Sequence, residues 1–220
     1  MAELQHLSGN HLCNVSLINA ASSTGPIHQL TGCTFLLNNP IYPFYLMSRS
    51  HNHALDLYYS GSTGKKLSTL NALFCEYGKH LLENREIHHS LRLLKNHAEN
   101  LSAHMLDMKL DRLCTHCATT SDGGCCSSYM EANSNALLLL INQLYGVDVK
   151  KQHTSEVECC FLGDTGCILT IKPIFCLNYN CKHIVDQAGK QEMATLEYLS
   201  GRMLNEQINL ESIIISIINS

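Results

Sequence analysis

The stretch IHHSLRLLKNHAENLSAHMLDM, residues 87–108, decides the fold because its apolar residues recur at alternating gaps of four and three. They are Ile87, Leu91, Leu94, Ala98, Leu101, Met105 and Met108. This spacing places them on one face of an α-helix for about three heptads. Asn84 suits the N-cap of that helix and Glu86 its first turn. The stretch therefore predicts a long amphipathic helix whose apolar face belongs to the core of a bundle.

Helices are predicted on both sides of this stretch. Upstream, five apolar residues follow the same three- and four-residue steps and share one helical face; they are Leu67, Leu70, Phe74, Tyr77 and Leu81. The two helices should form a hairpin through residues 83–85. Downstream, residues 128–131 (SYME) match a capping box, which predicts a core helix over 132–145 that ends at Gly146.

The C-terminal third predicts a short β-ribbon followed by a helix. Residues 163–166 (GDTG) suit a tight turn, and residues 167–171 (CILTI) alternate like a strand. The final helix carries Met193, Leu196, Leu199 and Met203 on one side. The Ile-rich tail over 210–217 keeps helical spacing. We expect this tail to pack on the bundle, with a dimer contact as the alternative.

These patterns predict a mainly α-helical fold, namely a helical hairpin or bundle with a small Cys-rich metal-binding segment that contains a short β-ribbon. Residues 1–65 mix Gly, Ser, Asn and Pro with short apolar runs, so we expect an irregular N-terminal extension. Within it, residues 60–64 (SGSTG) look like a linker. Residues 66–220 should form the helical domain, with the cysteine cluster at 114–181.

Composition and charge narrow the classes of partner. The chain has 220 residues, 15 Lys and Arg, 19 Asp and Glu and a formal net charge of −4. This balance argues against nucleic acid or an anionic membrane as the main partner. The first residues do not resemble a secretory signal, and no apolar run approaches the ~20 residues of a membrane helix. We therefore expect a cytoplasmic protein.

Cysteines carry the chemistry that the sequence suggests. Nine of the twelve lie between Cys114 and Cys181, and in a reducing compartment such a density favours metal ligation over disulfides. Cys114 and Cys117 have the two-residue gap that lets an intervening turn bring both sulfurs to one ion. Adjacent cysteines rarely close on one ion without strain, so such a pair suits two neighbouring metals, or one ligand beside a free or packed thiol. With Cys160 set aside, enough thiols remain for two four-sulfur sites. Eight candidate metal ligands remain: Cys114, Cys117, Cys125, Cys126, Cys159, Cys167, Cys176 and Cys181.

The order of these residues resembles the YkgJ-type cysteine-cluster family. The matching positions are Cys114, Cys117, Cys125, Cys126, Glu131, Cys159–Leu162, Gly166–Ile168, Lys172–Pro173, Cys176 and Cys181. They span about a third of the chain. Members of this family are described as zinc- or iron-chelating proteins, and often as iron–sulfur proteins. The resemblance thus implies metal binding without specifying a reaction.

Several functions are compatible with such a ligand set. An iron–sulfur cluster, with 4Fe–4S favoured, or Zn²⁺ would suit it, because four thiolates bind either. The expected roles are electron transfer, sensing or metal handling, together with a protein redox partner. The alternatives are a structural zinc module and an oxidoreductase that uses the centre or Cys160. No nucleophile–base motif is present, so no catalytic residue is predicted. Among the histidines, His116 and His183 are the first candidates to complete a site.

Overall fold

The computed structural model describes residues 56–118, 125–164, 166–178 and 180–220, without the side chains of residues 115–118. The predicted extension over 1–65 therefore lies almost entirely outside the described residues, as does the side chain of Cys117. Leu57–Ser220 is one unit by its internal contacts, so it begins before the predicted boundary at 66.

Helices account for most of the described residues, as the apolar periodicity predicts. In chain order they include α1 (Thr63–Glu83), α2 (Arg85–Asp107), α3 (Leu110–Ala118), α4 (Ser128–Glu131), α5 (Ala136–Leu144), α6 (Ile174–Asn178), α7 (Lys182–Gln187) and α8 (Lys190–Ile218). A small antiparallel sheet pairs β1 (Leu162–Gly163) with β2 (Gly166–Cys167). No helix in the described ranges is long and apolar enough to cross a membrane.

The turn between α1 and α2 falls at Asn84, as predicted, but the two helices contact each other little, because α1 packs against α5 and α2 against α8. The side-chain oxygen of Asn84 accepts hydrogen bonds from the N–H groups of Glu86 at 2.9 Å and Ile87 at 3.1 Å. These bonds satisfy two of the N–H groups that every helix start leaves without an intrahelical partner. The predicted stripe of α2 faces the core, and of its residues only Met105 is half-buried. The apolar pattern of residues 87–108 therefore describes this helix correctly.

The C-terminal residues form one continuous helix that packs on the bundle. Helix α8 lies against α2, while α1 lies against α5. Leu210, Ile214 and Ile218 are buried in the same core as the stripe of α2. The Ile-rich tail thus packs as the sequence predicts, because its apolar residues continue the face that begins at Leu196.

The predicted capping box at residues 128–131 is wrong. These residues form the separate short helix α4, and α5 starts later with Asn135 as its N-cap, whose side-chain oxygen accepts from the N–H of Leu138 at 2.7 Å. The carboxylate of Glu131 instead accepts the N–H of Cys160 at 2.7 Å. A partner distant in sequence thus replaces the local cap. Gly146 follows the core helix with a φ of 85°, as expected of a left-handed end.

Three other local predictions also need correction. The predicted linker at 60–64 contains the start of α1, because the Ser62 hydroxyl accepts the N–H of Lys65. The strand predicted over 167–171 ends at Cys167. Of the residues that follow, Leu169 and Ile171 are buried in the core without forming a strand. The C-x2-C pair of residues 114 and 117 lies within helix α3 and not in a turn after a helix, because α2 breaks only briefly at Lys109, where φ is 58°.

Replacing Asn84 with Ala tests the cap of α2. The substitution removes the oxygen that accepts two backbone hydrogen bonds, so we expect the free energy of unfolding to fall by about 1 kcal/mol. Asn100→Ala, at an exposed position inside the same helix, is the control and should change it by less than about 0.5 kcal/mol. Urea titrations followed by circular dichroism measure both variants. Equal losses in the two would contradict the assigned cap.

Candidate metal centre

Backbone hydrogen bonds bring the cysteines near residue 126 to those near residue 159. The N–H of Ser128 donates to the carbonyl of Val157 at 2.9 Å, and the N–H of Cys159 donates to the carbonyl of Cys126 at 3.1 Å. These bonds run between two segments about thirty residues apart in the sequence. Cys126 and Cys159 are therefore neighbours through the main chain.

The β1–β2 ribbon and helix α6 add two further cysteines. The ribbon pairs Leu162 with Cys167, so the chain returns at Cys167 to the region of Cys159. Its turn uses Gly166 at a φ of 117°, a conformation that residues with a side chain rarely adopt. Cys176 lies in α6, and its N–H donates to the carbonyl of Pro173 at 2.9 Å.

Four thiols form one mutually interacting group. Each of them interacts electrostatically with the other three, and they are Cys126, Cys159, Cys167 and Cys176. Cys159 is half-buried, whereas the other three reach solvent. Four sulfurs that face a common region supply the ligand number that tetrahedral zinc or an iron–sulfur cluster requires.

Backbone N–H groups point at two of these sulfurs. The N–H groups of Phe161 and Leu162 interact with the sulfur of Cys159, and the N–H of Leu169 interacts with that of Cys167. Hydrogen bonds of this kind favour the thiolate over the thiol. In metal centres they also orient the ligands and tune the metal.

Burial opposes those hydrogen bonds. It raises the pKa of Cys159, Cys167 and Cys176. For Cys176 the negative charges of Cys167 and Cys159 add to the effect of burial and bring its pKa to about 12. A bound cation reverses this balance, because thiols lose their protons on metal ligation.

Cys125 and Cys126 lie closer together than the sequence suggests. The chain turns tightly here, with the N–H of Ser127 donating to the carbonyl of Cys125 at 2.9 Å. The Cys125 thiol donates a hydrogen bond to Cys126, which raises the pKa of Cys125 and lowers that of Cys126. Both side chains of the pair therefore belong to the same region, and Cys125 is a fifth thiol beside the group of four.

Cys160 faces away from this group and into the core. Its side chain is 2% exposed, and burial followed by the hydrogen bond and charge of Glu131 raises its pKa to about 12. A reactive cysteine needs an accessible thiolate. Cys160 has neither property, so the structure gives no support to its use in turnover.

The remaining predicted ligands lie on two helices that contact each other. Helix α3 carries Cys114 and the backbone of Cys117, and it packs against α7, whose N-cap is Cys181. The side chains of His116 and Cys117 lie outside the described residues, and His183 is exposed.

The described side chains contain no group of three or more His, Cys, Asp or Glu residues arranged closely enough to hold a metal ion. The four thiols act on each other over longer distances than metal ligands span. Metal binding at this place therefore requires the sulfurs to draw inward.

Asn142 anchors the loop between β2 and α6, a role that the sequence patterns did not reveal. It is fully buried, its amide nitrogen donates to the carbonyls of Leu138 and Ile171 at 2.9 Å each, and its oxygen accepts the N–H of Ile171 at 3.0 Å. The only available signal was a polar residue directly after a run of five apolar ones. The anchored segment separates Cys167 from Cys176.

No protein-family model, curated protein or solved structure matches this chain. The resemblance to the YkgJ-type cysteine-cluster family therefore stays a prediction that rests on the order of the cysteines.

Replacing Asn142 with Leu tests the anchor. The variant leaves the N–H and C=O of Ile171 buried without partners, so we expect the free energy of unfolding to fall by about 2–5 kcal/mol. Asn205→Leu, at an exposed position of α8, is the control and should change it by less than about 0.5 kcal/mol. Chemical denaturation measures both variants. A near-neutral Asn142→Leu would show that the loop is held by other contacts.

Proposed function

We propose that this protein binds an iron–sulfur cluster or zinc through Cys126, Cys159, Cys167 and Cys176, and that it serves in electron transfer, sensing or metal handling. The observation that carries the proposal is that backbone pairing places Cys126 beside Cys159 and returns Cys167 to the same region, where Cys176 also acts on these thiols electrostatically. A packed core gives no reason to collect four partly exposed thiols in one place. Metal binding does, because several thiolates must meet at one point.

The backbone around the sulfurs supports the same proposal. N–H groups directed at Cys159 and Cys167 stabilise negative sulfur, which is the form that a metal binds. A purely structural thiol gains little from such donors. The raised pKa values of the neighbouring thiols mean that these thiols stay protonated in the absence of a metal. They would lose their protons when a cation binds.

Apolar side chains beside the thiols support a role that includes a protein partner. Tyr129, Val157 and Phe175 lie within three residues of a cysteine of the group, and they are 75%, 77% and 54% exposed. Exposed aromatic and aliphatic side chains of this kind are typical of protein contact surfaces. Electron transfer or metal handover to another protein would use such a surface next to the centre.

A structural zinc module is the second candidate. The observation that favours it is the small size of the secondary-structure elements in the cysteine segment. The segment from Ser127 to Asn178 outside α5 contains short elements only, among them a two-residue ribbon and helices of four and five residues. Segments built of such short elements are commonly stabilised by a metal in proteins. The same four ligands would serve both candidates.

The bound metal distinguishes the two candidates. After anaerobic purification of the full chain, the iron–sulfur form is expected to contain iron and acid-labile sulfide and to absorb near ~400 nm through sulfur-to-iron charge transfer. A colourless protein with stoichiometric zinc would establish the structural module instead. A folded protein that takes up neither metal, after reconstitution with each, would overturn the proposal.

Single Cys→Ser substitutions test the ligand assignment. We expect Cys126→Ser, Cys159→Ser, Cys167→Ser and Cys176→Ser each to reduce metal content and to lower the melting temperature of the metal-loaded protein, because metal binding and folding are coupled. Cys75→Ser, in α1 and outside the group, is the matched control and should retain metal. Metal analysis and thermal unfolding are the measurements. Cys114→Ser and Cys117→Ser show in the same assay whether the thiols of α3 take part.

A further inference from the structure

A second region of polar side chains lies at a cavity of about 390 Å³ beside helix α8. Its lining includes Tyr59, Asn135 and, from α8, Gln207 and Glu211. Leu204 and Ile208 supply apolar wall on the same helix. The volume falls within the range of small-molecule sites, which is roughly 300–1,000 Å³. None of these residues belongs to the group of thiols, so this cavity is independent of the proposed metal centre.

Glu211 is a buried carboxylate held by neutral donors. It is 6% exposed and accepts hydrogen bonds from the Tyr59 hydroxyl at 2.7 Å, the Gln207 amide at 2.9 Å and the Asn135 amide at 3.5 Å. Such donors satisfy the oxygens but leave the negative charge without a counterion.

No cation in the described residues pairs with Glu211. The salt bridges found there join Lys79 to Glu83, Lys95 to Glu99 and Lys150 to Asp148. The buried Lys66 donates to the carbonyl of Ala132 at 2.7 Å, and the carboxylate that acts on it is Glu131. Burying a charge without a partner of opposite sign raises the free energy of the protein. A positively charged ligand that binds here would lower it.

Gln207, which also lines the cavity, carries a second polar group without a partner. It is 6% exposed, and its side-chain oxygen is buried without a hydrogen-bond partner. The amide nitrogen must face Glu211, because only that end can donate to a carboxylate. The oxygen is therefore an acceptor that lacks a donor. Native proteins leave few such groups, and each calls for an explanation.

We infer that this cavity binds a small organic ammonium ion, namely a primary amine with a short apolar body, whose N–H groups meet the carboxylate of Glu211 and, after a small shift of the Gln207 side chain, its covered oxygen. The unmet groups are acceptors, so the ligand must donate. The charge of Glu211 is uncompensated, so the ligand should be positive. Leu204 and Ile208 then contact its hydrocarbon part.

A metal ion fits this cavity less well than an ammonium ion. Hard divalent cations take six or more oxygen ligands and favour several carboxylates, whereas Glu211 is the only carboxylate that lines the cavity among the described residues. The apolar wall offers no ligands, and the volume far exceeds that of a bare ion. An alkyl group on the cation uses both features.

Titration of the full-length protein with n-butylammonium chloride tests this inference. We expect saturable binding by calorimetry or by NMR shifts, with no comparable binding of 1-butanol, which has the same alkyl chain but no charge. Sodium chloride at the same ionic strength controls for salt. Binding of 1-butanol as tight as that of butylammonium, or no saturable binding of butylammonium, would overturn the site.

Two variants assign the binding to the named residues. Glu211→Gln removes the charge and should weaken butylammonium binding at least about tenfold, since a charged partner is lost from a desolvated pair. Glu197→Gln makes the same change at an exposed position of α8 and should leave binding unchanged. If Glu211→Gln does not fold, Gln207→Met keeps the charge, removes the unpaired oxygen and should weaken binding several-fold. Unchanged binding in whichever of the two variants folds would contradict the inference.

Discussion

The buried side chain of Asn142 makes two hydrogen bonds to the backbone of Ile171 and a third to the carbonyl of Leu138 within its own helix α5. It acts towards Ile171 as a neighbouring strand would, by offering one donor and one acceptor. In the core, where water cannot replace these bonds, losing them leaves polar groups unpaired. The position of the segment from Cys167 to Cys176 therefore depends on an amide inside an otherwise apolar helix.

Glu131 plays a related part on the other side of the thiols. Burial by itself would raise its pKa, but the hydrogen bonds from Cys160 and Thr63 and the charge of Lys151 outweigh it, so the pKa is lowered. The carboxylate holds the backbone next to Cys159 from helix α4, which lies 29 residues earlier in the cysteine segment. The side chains of Asn142 and Glu131 thus help to position the short loops that carry the thiols, together with core residues of these loops such as Phe161 and Leu169.

Helix α6 connects the two regions that we propose to be functional. It carries Cys176 of the thiol group and Ile174 of the cavity wall, and it packs against α8, which supplies Glu211 and Gln207. Both regions contain charged or polar groups that have no partner of opposite charge or no hydrogen-bond partner within the described residues. The thiols repel one another when ionised, while the cavity holds an uncompensated carboxylate and an acceptor without a donor. In each case a positively charged species is the natural complement.

The sequence by itself determined the helices with a clear apolar face, because that pattern depends on the 3.6-residue period of the chain and on no distant partner. It predicted helices α1 and α2, the turn between them with its cap at Asn84, and the packing of the Ile-rich tail in this way. The tertiary structure alone decided what Glu131 and Asn142 bind, how far the ribbon extends and which thiols share one region. The partners of Glu131 and Asn142 lie 29 residues away in the chain. A local pattern cannot select them, because the same side chain offers equally good hydrogen bonds to nearby groups until the fold brings the distant partner close.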